Sequence, residues 1–329
     1  MTDVQGAIDE IQNKRAEFLK MVTTGDYSTA NAVELRFADA VLLYGSYATP
    51  LTARLGHTKA LATTHYWLEA AVRDSVDNAQ AEGDTPTSRE KIPDRKSNTC
   101  QIVSGLVDVS GSAMQEAANG MYGSATDLLQ FQAEAEMQGI IKDIERAALL
   151  GTESTSDPRK MKGLKAWLTT NQENVGGTTL GTSNIEDLLT AISNQKTGHL
   201  PTALYAPAEV MTAMSKWANN RVQFVADVGN LEALRNLQVS VGQAVGWYMT
   251  QFGPLELVLA PEVPYSAGTA ALNYIYAVSE PLLRLADFRP LHTTLVVTGA
   301  DSLQRSIVWE GTLEVRCEKA HGVIKNFTV

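Results

Sequence analysis

The chain has 329 residues, 44% of them hydrophobic and 19% charged, enough to bury one large core or two modest ones. Its 37 acidic and 27 basic side chains leave a formal net charge of −10, which argues against a strong nucleic-acid binder because phosphate contacts need clustered Lys and Arg. Two cysteines, Cys100 and Cys317, are too few and too far apart for a disulfide framework or a cysteine-based metal site, so a reduced, cytosolic setting is expected.

The N-terminus, MTDVQGAIDEIQNK, carries acids where a signal peptide carries base. No run approaches the roughly 20 apolar residues that cross a bilayer, so a soluble chain without a membrane partner is expected. Residues 3–23 read as an amphipathic helix with Val4, Ile8, Ile11, Phe18, Leu19 and Val22 on or near one face, ended by Gly25. Two readings of it stay open: a terminal helix packed on its own domain, or an arm docked on a neighbouring subunit. A helical run over 33–44 follows, with Gly45 and Pro50 as breakers.

Thr64–Val72 and Thr99–Val109 read as strands, the second rich in β-branched residues. Between them lie about 25 mostly polar residues, too many for a compact hairpin turn. Acids (Asp74, Asp77, Glu82, Asp84, Glu90, Asp94) alternate there with bases (Arg73, Arg89, Lys91, Arg95, Lys96), a pattern suited to pairing with a second copy or to a solvated loop. Ser124–Leu150 has the clearest helical pattern. Met137, Ile140, Ile141, Ile144 and Ala148 make one apolar stripe, Ser124 with Asp127 reads as the cap, and Gly151 as the stop. Such a helix is about 40 Å long at roughly 1.5 Å per residue. Gly139 within it costs about 1 kcal/mol against Ala.

Beyond a polar linker, helices are expected at Ile185–Asn194, capped by Ser183 or Asn184, and at Pro207–Asn219. Strands are expected at Leu204–Tyr205, Ala244–Thr250, Leu255–Ala260, Leu272–Val278, Thr293–Thr298, Arg305–Val315 and Val323–Thr328. The order lacks a regular βαβ alternation, so the class is α+β.

No catalytic constellation stands out. The histidines, His57, His65, His199, His292 and His321, are isolated in sequence, and HExxH, GxSxG and the phosphate-binding GxxxxGK motif are absent. Glu134 with Glu136, and Glu314 with Glu318, read as solvated charge. His321 lacks a nucleophile partner for work as a base. The five tryptophans are spread as core or interface anchors.

Several phrases in order resemble one family. SNTCQIVSGLVDVSGSA (Ser97–Ala113) resembles an "N-x-x-Q-I" segment leading into V-x-V-S-G. IIKDIERAALLGT (Ile140–Thr152), MKGLKAWL (Met161–Leu168) and QFGPLELVLAPEVP (Gln251–Pro264) are similar to a helix end, a "G-L-x-x-W" segment and an "FG" strand of that family. The closing LVVTGADSLQRSIVWEGTLEVRCEKAHGVI resembles its "E-x-T-L-E-V … A-H-G" ending, with departures at Ala300, Cys317 and Lys319. The family is a branch of tailed-bacteriophage major capsid proteins with the Hong Kong 97 phage-type fold.

The resemblance implies an N-terminal arm and helix over 1–60, an extended loop over 61–110, and a peripheral domain with its spine helix over 111–184. It further implies an axial domain over 185–286 and return strands over 287–329. Arg73, Asp74, Glu82, Arg89, Glu90, Lys91, Asp94, Arg95 and Lys96 become candidates for inter-subunit contact. The implied protein is a self-assembling shell subunit, in pentamers and hexamers around double-stranded DNA held non-specifically. It belongs to the virion, is assembled in the host cytoplasm, and needs no cofactor, metal or catalytic residue. Scaffolding, portal and decoration proteins are the implied partners, and an uncut N-terminus is expected. An encapsulin shell shares the fold, and a soluble enzyme is the alternative from another class. No Lys–Asn cross-link is expected, although Lys91, Lys96 and Asn326 are of the right residue types.

Overall fold

The computed structural model describes residues 49–329 except 74, 86–89, 120–124, 223–245 and 297–298. The helices expected over 3–23 and 33–44 lie outside the described residues, as do Gly45, Asp74, Arg89 and Ser124.

The chain enters through α1 (Pro50–Arg54), β1 (Gly56–Lys59), β2 (Thr64–Glu69), β3 (Asp94–Thr99) and β4 (Gln101–Ser110). Then come α2 (Gly111–Asn119), the long α3 (Ala125–Leu150), the short α4 (Leu164–Trp167) and β5 (Gln172–Asn174). They are followed by α5 (Thr182–Asn194), β6 (Ala203–Ala206), α6 (Ala208–Val222), β7 (Trp247–Thr250), β8 (Gly253–Leu259) and β9 (Tyr274–Val278). Two 14-residue strands, β10 (Leu283–Val296) and β11 (Ser302–Val315), lead to β12 (Gly322–Lys325). The sheets have the orders β1-β10-β11-β4, β5-β12-β9-β6-β8-β7 and β2-β3. Mixed parallel and antiparallel pairing within the six-stranded sheet agrees with the α+β class.

Several local expectations shift. Pro50 opens α1, where a first-turn position needs no N–H donor, and the helical run expected ahead of it lies outside the described residues. Helix α5 begins at Thr182, so neither Ser183 nor Asn184 is its cap. Asn184 sits in the first turn, and its Oδ1 accepts the N–H of Gly181 at 2.9 Å. The strand expected from Leu272 starts at Tyr274, after a single 3₁₀ turn. Strand β10 begins ten residues before the expected Thr293: Leu283, Leu285 and Ala286 are all buried there, and Pro290 follows, so the two-residue alternation is lost. The boundary expected at 286/287 falls inside this strand.

The described chain forms two compact units. The smaller comprises Gly105–Met137 and Thr293–Ile307, where Val107 and Val109 of β4 pack with Leu129 of α3. The larger comprises the described parts of Ser46–Ser104, Gln138–His292 and Val308–Val329. Its main core lies where α5 and α6 cover the six-stranded sheet. Ile185, Leu188, Leu189 and Ile192 recur at helical spacing and meet Leu204, Ala206, Leu255, Leu257, Ile275, Ala277 and Ile324. Gly322 is glycine because a Cβ there would stand 2.8 Å from Leu188 and 3.0 Å from Ile192.

Helix α3 carries its stripe as expected, with Ile140, Ile144 and Ala148 buried. The same helix also buries an acid. Glu145 is 0% exposed, and its carboxylate accepts the N–H groups of Leu51 (2.9 Å) and Thr52 (2.7 Å) at the start of α1. Burial pushes its pKa up, against the pull of those two donors. At the other end of α1, Arg54 pairs with Glu256 and with Glu280, 2.8 Å away. The point at which the chain enters this unit is thus held at both ends. Glu145→Ala strands two backbone donors and is expected to cost about 2 kcal/mol in chemical denaturation of the unassembled protein.

Candidate functional site

The polar insertion is an extended excursion from the larger unit. Strands β2 and β3 pair antiparallel, Thr64 opposite Thr99 and Glu69 opposite Asp94, so residues 70–73 and 90–93 continue from the end that Glu69 and Asp94 close. Asp94, Arg95 and Lys96 are therefore strand residues and not part of the loop, opposite Glu69, Leu68 and Trp67. The Arg95 guanidinium lies 4.9 Å from the centre of the Tyr66 ring. Arg73, Glu90 and Lys91 come together around a shallow recess shared with Ala70, Ala71 and Val72. Glu82 is exposed in a turn that Gly83 completes at φ 84°. Described apolar side chains here bury little: Val72 is 94% and Ile92 86% exposed, with Leu68 of β2 at 68%.

The root of the hairpin is, by contrast, heavily tied, and mostly by residues that pattern reading passed over. On β2, Trp67 is buried and tilted against Trp167 at 5.6 Å, and Lys162 Nζ stands 4.1 Å from the centre of the Trp167 ring. His65 Nε2 contacts Glu314 at 2.8 Å, and Glu69 Oε1 accepts both Trp67 Nε1–H (2.8 Å) and the N–H of Cys317 (3.0 Å). On β3, Asn98 is 0% exposed and makes four hydrogen bonds. A buried Asn cannot be told from a turn Asn by periodicity. Its place in the "N-x-x-Q" phrase was the available signal.

The acids of the closing phrase need a correction. Glu314 is not solvated charge: it is 1% exposed, held between His65 and Arg316. Glu310 is equally buried and accepts from Arg159 (3.1 Å) and Arg289 (2.7 Å). Both escape an alternation argument because β11 is buried on both faces over Trp309–Val315. Glu318 is engaged too, accepting the N–H groups of Thr169 and Thr170, each at 2.8 Å. Glu134 and Glu136 are exposed on α3. His321 is buried between the N–H of Ser279 (3.1 Å) and the C=O of Arg316 (3.1 Å), which fixes a neutral ring protonated at Nε2. Asn326 donates to Asn174 Oδ1 at 3.0 Å. Among the described residues no group of three or more His, Cys, Asp or Glu is arranged to hold a metal ion.

A chain with an exposed, charged hairpin on a rigid root, and acids spent on internal ties, fits a subunit whose work is contact. The family model of the SU10 major capsid protein matches residues 12–328. The chain belongs to that family. It is a major capsid protein, a virion component built in many copies into a shell. No curated protein matches it.

Solved structures agree on the fold. The Cyanophage A-1(L) capsid protein, 12% identical, matches with a TM-score of 0.62 over 89% of this chain and 97% of that one. The chain from Gordonia phage Cozz, 11% identical, gives 0.57 over 88% and 90%. The SrpI encapsulin of Synechococcus elongatus PCC 7942, 13% identical, gives 0.53 over 90% and 95%. At these identities the likeness is one of architecture, the Hong Kong 97 phage-type capsid fold. The phrases of this capsid protein that carried the resemblance now have physical roles. The A-H-G ending is a locked imidazole beside a glycine pressed on α5, and the E-x-T-L-E-V run supplies two buried acids that anchor arginines and a histidine.

Proposed function

We propose that this protein builds the icosahedral head of a tailed phage as pentamers and hexamers around double-stranded DNA, without enzymatic activity of its own. The β2–β3 hairpin with residues 70–93 is the element that reaches a neighbouring copy. The observation that carries this is the hairpin's exposure: Tyr66, Leu68, Val72 and Ile92 are solvated in the single chain although its root is rigid. Several exposed apolar side chains on one tied hairpin suit contact with another surface. The nine charged candidates, Arg73, Asp74, Glu82, Arg89, Glu90, Lys91, Asp94, Arg95 and Lys96, then set register and selectivity, with little net affinity from each exposed pair. On this reading 111–184 is the peripheral domain with its spine helix, 185–286 the axial domain around the symmetry axes, and 287–329 the return strands. The net charge of −10 suits a shell that holds DNA without gripping it. Scaffolding, portal and decoration proteins are its expected partners in the host cytoplasm.

The test is electron microscopy of the purified protein across concentration and salt. Closed shells or five- and six-membered rings are expected, and a monomer under every condition would sink the proposal. Reversing the three bases Lys91, Arg95 and Lys96 to Glu is expected to lower shell yield at least tenfold at low salt while lowering the melting temperature of the free subunit by no more than about 2 °C, for the lost Arg95–Tyr66 contact. The second reading, a nanocompartment around a protein cargo, draws on the encapsulin neighbour. Particles that co-purify with a protein and without DNA would favour it.

A further inference from the structure

We infer that Asn98 and Gln101 form a clamp that sets the direction in which the β2–β3 hairpin leaves the subunit, so that they are positioning residues for assembly. This rests on the reading of the hairpin as the element that reaches a neighbour.

The Asn98 side chain behaves like a peptide group inserted between strands. Its Nδ2 donates to the carbonyls of Lys162 (2.9 Å) and Leu313 (2.7 Å), and its Oδ1 accepts the N–H groups of Lys162 (2.9 Å) and Thr99 (2.9 Å). Two donors and two lone pairs are all used, which fixes the orientation of the amide and leaves no isosteric substitute. Three residues on, Gln101 Oε1 accepts the N–H of Met161 at 3.2 Å. Asn98 on β3 and Gln101 at the start of β4 therefore pin the backbone of Met161–Lys162 to the point where the chain leaves the hairpin. Leu313 ties the same point to β11.

The other strand is held by different chemistry at the same level. His65 meets Glu314, the residue after Leu313, and Glu69 takes the N–H of Cys317. Trp67 closes the set against Trp167, whose ring lies under Lys162 Nζ. The hairpin cannot tilt without breaking bonds on both strands. Asn98 is the element that joins three backbone segments through one rigid group. An apolar side chain there would leave the carbonyls of Lys162 and Leu313 and the N–H groups of Lys162 and Thr99 without this partner, so ordinary core packing cannot replace the saturated amide.

The experiment compares four variants of the full chain for thermal midpoint, hydrogen exchange of residues 64–69 and 94–99 in the free subunit, and shell morphology. Asn98→Asp turns the amide nitrogen and its two donors into an oxygen facing two carbonyls, and Gln101→Ala removes one acceptor and is milder. Ile192→Ala, in the core beneath the six-stranded sheet, is the control that lowers the thermal midpoint without touching the root. Replacing 73–91 by a short Gly-Ser turn tests the hairpin itself. Asn98→Asp is expected to raise hairpin exchange at least tenfold and to give open or misshapen shells. Gln101→Ala is expected to do the same about threefold, with Ile192→Ala closing normal shells. If the shortened hairpin blocks assembly while both clamp variants, or Gln101→Ala alone should Asn98→Asp not fold, close normal shells, the clamp is refuted and the hairpin reading stands. If Ile192→Ala fails in the same way as the clamp variants, their effect is stability alone and the clamp is again refuted. Normal shells from the shortened hairpin overturn the underlying reading.

Discussion

Replacing Gly163 by Ala is expected to destabilise the subunit by roughly 3 kcal/mol or more and to lower its melting temperature by roughly 4 °C or more. Helix α3 ends where Gly151 donates to the carbonyl of Ala147 at 2.9 Å, and the chain returns so that Gly163 donates to the carbonyl of Gly151, also at 2.9 Å. A Cβ on Gly163 would stand 2.5 Å from the Ala147 oxygen, 2.6 Å from the Gly151 nitrogen and 2.8 Å from the Ala148 oxygen. All three are backbone atoms at the end of the longest helix, so no side chain can rotate away. The cause is steric and not conformational, because Gly163 has φ −88°, which any residue adopts. Gly139 supplies the contrast. Nothing lies within 4 Å of its would-be Cβ, and Gly139→Ala in the helix interior is expected to gain about 1 kcal/mol. Thermal denaturation of the two variants should move in opposite directions. Equal shifts would show that α3 does not end against Gly163.

The second large effect is on pH dependence, through His321. Burial pushes its imidazole down to about 4, against an ordinary value of 6.5, with the Arg316 carbonyl pulling the other way. Between those values the unfolded chain binds a proton that the native chain refuses. The stabilising contribution is therefore complete above about pH 6.5 and is lost as the pH falls towards 4, by about 3 kcal/mol in all. A proton at Nδ1 would face the N–H of Ser279 instead of accepting from it. His321→Gln removes the titrating group. It is expected to be less stable than the parent at pH 7.5 by about 1–2 kcal/mol for the imperfect hydrogen bonds, but to lose about 3 kcal/mol less on acidification to pH 4. Denaturant titrations of the free subunit at several pH values measure both slopes. Parallel profiles would assign the acid sensitivity to the carboxylates instead.

Much of the architecture was legible before any coordinates. The stripe on α3, Gly151 as its stop, the Ile185–Ile192 face of α5 and the strands β6, β8 and β11 follow from period and punctuation, which are local properties of the chain. The ordered phrases pointed to the capsid family, and the long polar insertion to an excursion between two strands. Less visible was everything that depends on a partner distant in sequence. Asn98 and Gln101 look like ordinary polar residues at the start of a strand until residues 161–162 and 313 are brought beside them. Glu145, Glu310 and Glu314 sit in patterns where an acid reads as solvated, and their carboxylates are buried because donors from sequentially remote segments converge on them. The length of β10 was hidden because burial on both sides of its first residues erases alternation.

The sequence by itself determined where most of the helices and strands form, which of their faces are apolar, and the family, because those rest on local periodicity and on ordered phrases. Tertiary structure alone decided which polar groups are buried and paired within the chain and which stay exposed. Burial turns an unpaired carboxylate or amide into a cost of several kcal/mol, and only the folded chain supplies the donors and acceptors that remove that cost.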